Sequence, residues 1–172
     1  MEKIKVLIDE EKLNKRIKEI AQQISNDYKD EEIVLVCILK GAAYFTIDLS
    51  KKIDNTSVIL DFMKVSSYGN NTETTGKVDL KIDLSTNIEN KNVIVVEDIL
   101  DTGYTLNYLY DYLKSKNPKT LKICVLLDKK ERRIKSIDVD YTGFVIENKF
   151  VVGYGLDYED KLRNLPYVGY IE

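Results

Sequence analysis

The 172-residue sequence has no histidine, two prolines, two cysteines and eight glycines. Without histidine, Ser-His-Asp and Cys-His triads and imidazole metal sites are excluded. Catalysis, if any, must then rest on carboxylates, lysines, tyrosines or backbone groups. So few prolines and glycines leave little room for linkers, and there is no internal repeat or low-complexity tract. Cys37 in EIVLVCILK and Cys124 in LKICVLLD sit inside apolar runs, with no CxxC spacing. They read as small buried hydrophobes in a reducing compartment. No apolar run approaches the length of a membrane span. MEKIKVLIDEEKLNKRI has no apolar core of the kind a secretory signal needs, so the expected location is the cytoplasm. The net charge of −3 argues against a general nucleic-acid binder. It still permits a local basic pocket for a phosphorylated small molecule.

What is present is a chain of one-domain length, 44% hydrophobic and 32% charged. Leu13, Ile17, Ile20, Ala21 and Ile24 recur at helical spacing within 10–27. EIVLVCIL (32–39), NVIVVEDI (92–99) and LKICVLLD (121–128) are near-continuous apolar runs, the signature of strands buried on both faces. SVILDFMKVSSY (57–68) reads as a further strand, and 41–53 and 105–115 read as helices. KVDLKIDL (77–84) alternates, which predicts a half-exposed antiparallel arm. Residues 137–146 and 150–158 read as short strands and turns. The expected fold class is α/β, a central parallel sheet with helices on both faces. In such folds ligands sit beyond the carboxyl ends of the strands. Three of those ends carry polar residues: Lys40-Gly41, Glu97-Asp98 and Asp128-Lys129.

VVEDILDTGYTL (95–106) concentrates the chemistry. A buried strand ends in Glu97 and Asp98, reaches Asp101, and turns through Thr102, Gly103, Tyr104 and Thr105 into a helix. A helix start offers unpaired N–H groups and the positive end of a dipole, so this loop suits a phosphate. It is not a Walker loop, since GxxxxGK[ST] is absent. The acids beside it suit sugar hydroxyls and Mg²⁺. Together they describe a ribose 5-phosphate site. An ordinary turn with Asp101 or Thr102 as N-cap would account for one acid, not three.

The stretch closely resembles the phosphoribosyl-pyrophosphate signature of the type I phosphoribosyltransferases. ILKGA (38–42), VSSYG (65–69), LLDKKERR (126–133) and FVVGYGLDYEDKLRNLPYVG (150–169) resemble, in order, further segments of the hypoxanthine-guanine branch. The resemblance implies a single domain over 1–172. Its core would run over about 30–136, its hood would come from 1–10 and 137–172, and a mobile loop would span 66–77. It implies Mg²⁺-dependent purine salvage: a phosphoribosyl group passes from phosphoribosyl pyrophosphate to hypoxanthine, and by expectation guanine, giving IMP or GMP and pyrophosphate. Asp101 matches the general base, which takes a proton from the imidazole side of the purine. Asp101, Thr102, Gly103, Tyr104 and Thr105 match the 5′-phosphate loop. Glu97 and Asp98 match the ribose and metal acids, and Asp157 a further metal carboxylate near the base. Lys40, Gly41 and Arg163 match pyrophosphate contacts, and Lys40 often follows a cis bond in the family. Lys129, Phe150, Val151 and Asp157 match the purine site. Ser67 and Tyr68 match the mobile loop. Without the family, Phe150 and Val151 would read as core, Lys129 as a solvated lysine, and KKERR as an exposed face or subunit contact. Two positions depart from the pattern. Tyr104 fills a variable place where relatives can carry lysine, and Lys130 stands where many bacterial relatives have proline. The resemblance also implies a homodimer or homotetramer, with no nucleic-acid or membrane partner. A regulator binding RNA or protein should show a basic face, which this charge balance does not offer. A receiver-like phosphorylated domain needs a lone acceptor Asp, not D-T-G-x-T opening a helix.

Overall fold

The computed structural model describes residues 3–55, 57–67 and 78–172. In chain order the elements are β1 (Ile4–Ile8), α1 (Glu10–Asp27), β2 (Ile33–Leu39), α2 (Ala43–Lys52), β3 (Val58–Ser67) and β4 (Val78–Ile82). They continue with β5 (Asn92–Leu100), α3 (Tyr104–Lys114), β6 (Thr120–Asp128), a 3₁₀ turn (Lys130–Arg132), β7 (Tyr141–Val145), β8 (Val151–Val152) and β9 (Val168–Ile171).

α1 starts where Asp9 accepts a hydrogen bond from the Lys12 N–H at 2.8 Å, and Glu10 and Glu11 in its first turn suit the helix dipole. Its five apolar positions are all buried, as their spacing requires. Period-2 alternation explains why β2 is apolar throughout. Ile33 and Leu35 join a core with Ile17 and Ile20 of α1 and Phe45 and Leu49 of α2. Val34, Val36 and Ile38 join a second core with Leu106, Leu109 and Leu113 of α3. Each fully buried Leu or Ile contributes about 1.5–3 kcal/mol, so both faces are held by helices rather than by water-facing residues.

The large sheet has the order β4-β3-β2-β5-β6-β7. β4 runs antiparallel to β3, as the alternation of 77–84 predicts, and all other pairs are parallel. From β2 the chain goes first to β3 on one side and then to β5 on the other. That reversal opens a crevice beyond the ends of β2 and β5, the usual ligand position in open α/β sheets.

β1, β9 and β8 form a separate antiparallel sheet. The segment 137–172, expected as hood, is divided. β7 pairs parallel with β6 as an edge of the large sheet, because Tyr141 is buried in the core that α1 covers. Residues 150–158, expected as short strands and turns, hold β8 followed by turns. β1 (IKVLI) and β9 (VGYI) are short runs that pair antiparallel with each other across nearly the whole chain length. Of the expected mobile loop, Tyr68 and 69–77 lie outside the described residues, while the backbone of Ser67 pairs opposite Val78.

Candidate active site

β5 carries Glu97 and Asp98 out of the sheet interior. Glu97 is buried, at 8% exposure. Its carboxylate accepts from the Asp98 N–H at 3.0 Å, and Asp98 accepts from the Ile99 N–H at 2.6 Å. Burial pushes both carboxyls above their ordinary range, and the neighbouring Asp98 charge adds to the effect on Glu97. Two adjacent acids held this way favour an incoming proton donor or cation.

Gly41 faces Asp98 directly: a β-carbon on Gly41 would lie 1.7 Å from Asp98 Oδ2. Gly41 follows the cis bond Leu39–Lys40 at the end of β2. The ends of β2 and β5 thus close on each other over the switch point.

After Asp98 the chain forms a pocket of about 250 Å³ lined by 97–103, Thr105 and Leu106. Gly103 is the N-cap of α3, at φ +91°, and no side chain caps the helix. Neither Asp101 nor Thr102 therefore serves as N-cap, and the first N–H groups of α3 stay available for an anion. Gly103 is required for conformation, and also because a β-carbon there would lie 2.5 Å from the Lys135 carbonyl.

That contact belongs to a clamp. The N–H groups of Ile134 and Lys135 both donate to the Thr102 carbonyl at 2.9 Å. Arg133 Nε donates to the Asp101 carbonyl at 3.2 Å, while its Nη2 pairs with the buried Asp128. Arg132 Nε donates to Asp101 Oδ1 at 2.6 Å. Lys135 Nζ lies 5.9 Å from the centre of the Tyr104 ring, bringing a cation beside the loop position that lacks one. The run 130–133, expected as exposed face or subunit contact, is exposed at Lys130, Glu131 and Arg132, and Arg132 and the part-buried Arg133 also fasten the loop that begins at Asp101. A charged run looks solvated in sequence; only the 3₁₀ turn after Lys129 aims its arginines back at Asp101 and Asp128.

Lys129 is buried at 8% exposure, so it is not a solvated lysine. Its backbone N–H donates to the Leu100 carbonyl at 2.9 Å, tying the end of β6 to β5. Burial lowers its pKa, the nearby Asp101 charge opposes that, and Arg132 adds to it. Lys129, Asp101 and Arg132 therefore form one electrostatic group.

Phe150 is 55% exposed and meets Tyr158 edge-on, with ring centres 5.7 Å apart, whereas Val151 is buried in β8. An exposed phenylalanine is not core, and a free ring face suits a flat ligand. Arg163 donates through Nη1 to the Gly155 carbonyl at 2.7 Å and pairs through Nη2 with Asp157 at 2.9 Å. Gly155 packs on the β2 end: its β-carbon would lie 2.1 Å from the Gly41 carbonyl. Among the described residues, Glu97, Asp98 and Asp157 are not gathered into one three-ligand cluster. The structure holds Glu97 and Asp98 as a pair, and Asp157 on Arg163.

Residues 5–159 match the family described as the phosphoribosyl transferase domain. The chain is 46% identical to the hypoxanthine-guanine phosphoribosyltransferase of Streptococcus thermophilus, over 98% of this chain and 93% of that protein. It is also 46% identical to the bifunctional protein TilS/HprT of Listeria monocytogenes, over 98% of this chain but only 26% of that longer protein. A crystal structure of a Bacillus anthracis hypoxanthine-guanine phosphoribosyltransferase superposes with a TM-score of 0.94 at 50% identity, covering 99% of this chain and all (100%) of that one. No described helix is long and apolar enough to cross a membrane. The signature on β5, the fold that carries it and these likenesses agree: the chain belongs to the hypoxanthine-guanine phosphoribosyltransferase family.

Proposed function

We propose that the chain transfers the 5-phosphoribosyl group of phosphoribosyl pyrophosphate to hypoxanthine and guanine, forming IMP or GMP and pyrophosphate. One observation carries the proposal. The uncapped start of α3, the acid pair Glu97/Asp98 and the buried Lys129 meet at adjacent strand ends, with Asp101 between phosphate loop and lysine.

In this reading the N–H groups of the loop 102–105 hold the 5′-phosphate. Glu97 and Asp98 accept from the ribose hydroxyls. Lys129 donates to the 6-oxo group of the base; an ammonium offers no acceptor to the amino group of adenine. Phe150 stacks on the purine, and the backbone at Val151 and Asp157 reads its edge. Lys40, Gly41 and Arg163 take the pyrophosphate, Arg163 through a planar fork suited to phosphate oxygens.

The purine nitrogen bonds to the anomeric carbon as the bond to the pyrophosphate oxygen breaks. The purine's proton passes to Asp101, whose place between sugar and base puts it within reach. Mg²⁺ fits the donor set. It is usually held by one or two carboxylates and completed by substrate oxygens and water, which suits the adjacent acids Glu97 and Asp98. Glu97 and Asp98 would hold it on the ribose side and Asp157 near the base. Bound there, it neutralises charge on the leaving group. The exposed Tyr44 and Ile47 of α2 and Leu60 of β3 supply apolar surface for the expected homodimer or homotetramer, which light scattering in solution tests.

The test of function is nucleotide formation from phosphoribosyl pyrophosphate and Mg²⁺ with hypoxanthine, guanine, xanthine and adenine in parallel. Turnover of hypoxanthine and guanine but not adenine is expected. No nucleotide from any base overturns the proposal.

A further inference from the structure

Lys40 and Arg163 come from different parts of the chain and converge on one carboxylate. Lys40 Nζ lies 3.0 Å from Asp160 Oδ1, and Arg163 Nη2 lies 3.4 Å from the same oxygen. These are the two cations assigned to pyrophosphate above. Their charge is answered from within the chain by Asp160.

Asp160 is presented by a tight hairpin. Tyr158 and Lys161 exchange backbone hydrogen bonds at 3.0 Å in each direction. The two residues between them, Glu159 and Asp160, have φ of +52° and +61°. Positive φ at both central positions is the geometry of a type I′ turn, whose twist matches the flanking strands. The Asp160 N–H is further pinned to Asp157 Oδ2 at 2.8 Å. The backbone is therefore fixed, while the Asp160 side chain remains 73% exposed. Arg163 is the opposite: its side chain is 23% exposed and anchored on Gly155 and Asp157. The hydrogen bond from Lys40, with that from Arg163, holds the Asp160 carboxyl below its usual range.

We propose that Asp160 is an internal counter-ion of the pyrophosphate subsite, displaced from Lys40 and Arg163 when pyrophosphate binds and returning as it leaves. The proposal rests on the pyrophosphate role assigned to those two cations. An incoming polyanion meets a carboxylate of like charge between the very groups it needs. It must push that carboxylate aside or bind within its field. Asp160 thus weakens pyrophosphate binding and speeds release, an advantage where the product is a polyanion held by several cations. Because the pair is exposed and screened, the effect is moderate.

The test is calorimetric titration of inorganic pyrophosphate, with Mg²⁺, into wild type, Asp160→Asn and Asp160→Glu. Asparagine accepts left-handed φ readily, so the first variant removes charge without straining the turn. Asp160→Asn is expected to bind pyrophosphate roughly twofold to fivefold more tightly, the range of an exposed ion pair. The gain should shrink as salt is added. Asp160→Glu, which keeps the charge, should stay near wild type, and the KM for hypoxanthine should not move in either variant. Unchanged or weaker pyrophosphate binding in Asp160→Asn, with wild type binding normally, overturns the counter-ion role and leaves the proposed function standing. Wild type that binds no pyrophosphate overturns both.

Discussion

The Asp98 carboxylate occupies the space where any residue other than glycine at position 41 would place its β-carbon; the two would be 1.7 Å apart. Gly41→Ala must therefore displace either the acid pair or the loop after β2. A misplacement of about 1 Å in a site of this kind costs on the order of 100-fold in rate. We expect kcat/KM to fall by about that factor, with the melting temperature much less affected. Full activity in Gly41→Ala would contradict the close approach.

In the proposed mechanism, Asp101→Asn keeps the shape of the loop 102–105 but cannot take up the purine's proton. General-base loss typically costs about 10²–10⁴ in rate, so kcat should drop within that range. Binding of phosphoribosyl pyrophosphate, measured by titration, should persist. A variant with near wild-type kcat would remove Asp101 from the role of base.

Phe150 is exposed and contributes little to the core. Phe150→Ala should leave stability almost unchanged yet raise the KM for hypoxanthine by roughly tenfold, as expected for losing one base–aromatic stack of about 1–3 kcal/mol. The KM for phosphoribosyl pyrophosphate should stay put. An equal rise in both would point to a collapsed hood instead of lost stacking.

Arg133 and Asp128 form an ion pair with side chains 19% and 5% exposed. Arg133→Ala leaves the Asp128 charge buried without its partner, which costs about 3–5 kcal/mol. Urea unfolding checks this. The double variant Arg133→Ala/Asp128→Asn should lose clearly less than the sum of the two single losses, because the buried charge is gone with its partner. Additive losses would mean that the pair does not couple.

Asp61 is buried in β3 and accepts from the N–H groups of Phe62, Ser85 and Thr86 and from the Ser85 hydroxyl. Burial pushes its carboxyl up, but these hydrogen bonds together outweigh it and hold the pKa below the ordinary 3.8. Around that pH the unfolded chain binds more protons than the folded one, so stability rises with pH. The contribution is complete above 3.8 and is lost as pH falls through the lower folded value. Asp61→Asn should cost about 2 kcal/mol at neutral pH and progressively less in acid. A loss independent of pH would assign the effect to packing.

The large sheet was legible because residues buried on both faces must be apolar, and 32–39, 92–99 and 121–128 have that pattern. The helix over 10–27 was legible from its apolar spacing and matches α1 end to end. The strand–turn–helix over 92–114 was legible because a buried apolar run ends in acids and turns through Thr and Gly into helical spacing. Arg132 and Arg133 were not legible. A run such as KKERR looks solvated unless the turn following Lys129 is known. Asp160 was hidden for the same reason: nothing local distinguishes it from its exposed acidic neighbour Glu159.

By itself the sequence determined the alternation that buries the strands, the absence of histidine side chains, and the local order of acids and Thr/Gly turn at the end of β5. All of these depend on near neighbours along the chain. Tertiary structure alone decided that β7 joins the large sheet and that Gly41 and Gly155 bring three segments into contact around Asp98. It alone decided that Arg132 reaches Asp101 and that Lys40 shares Asp160 with Arg163. Ion pairs and close backbone approaches between distant segments depend on where strand ends meet in space, and spacing along the chain does not encode that.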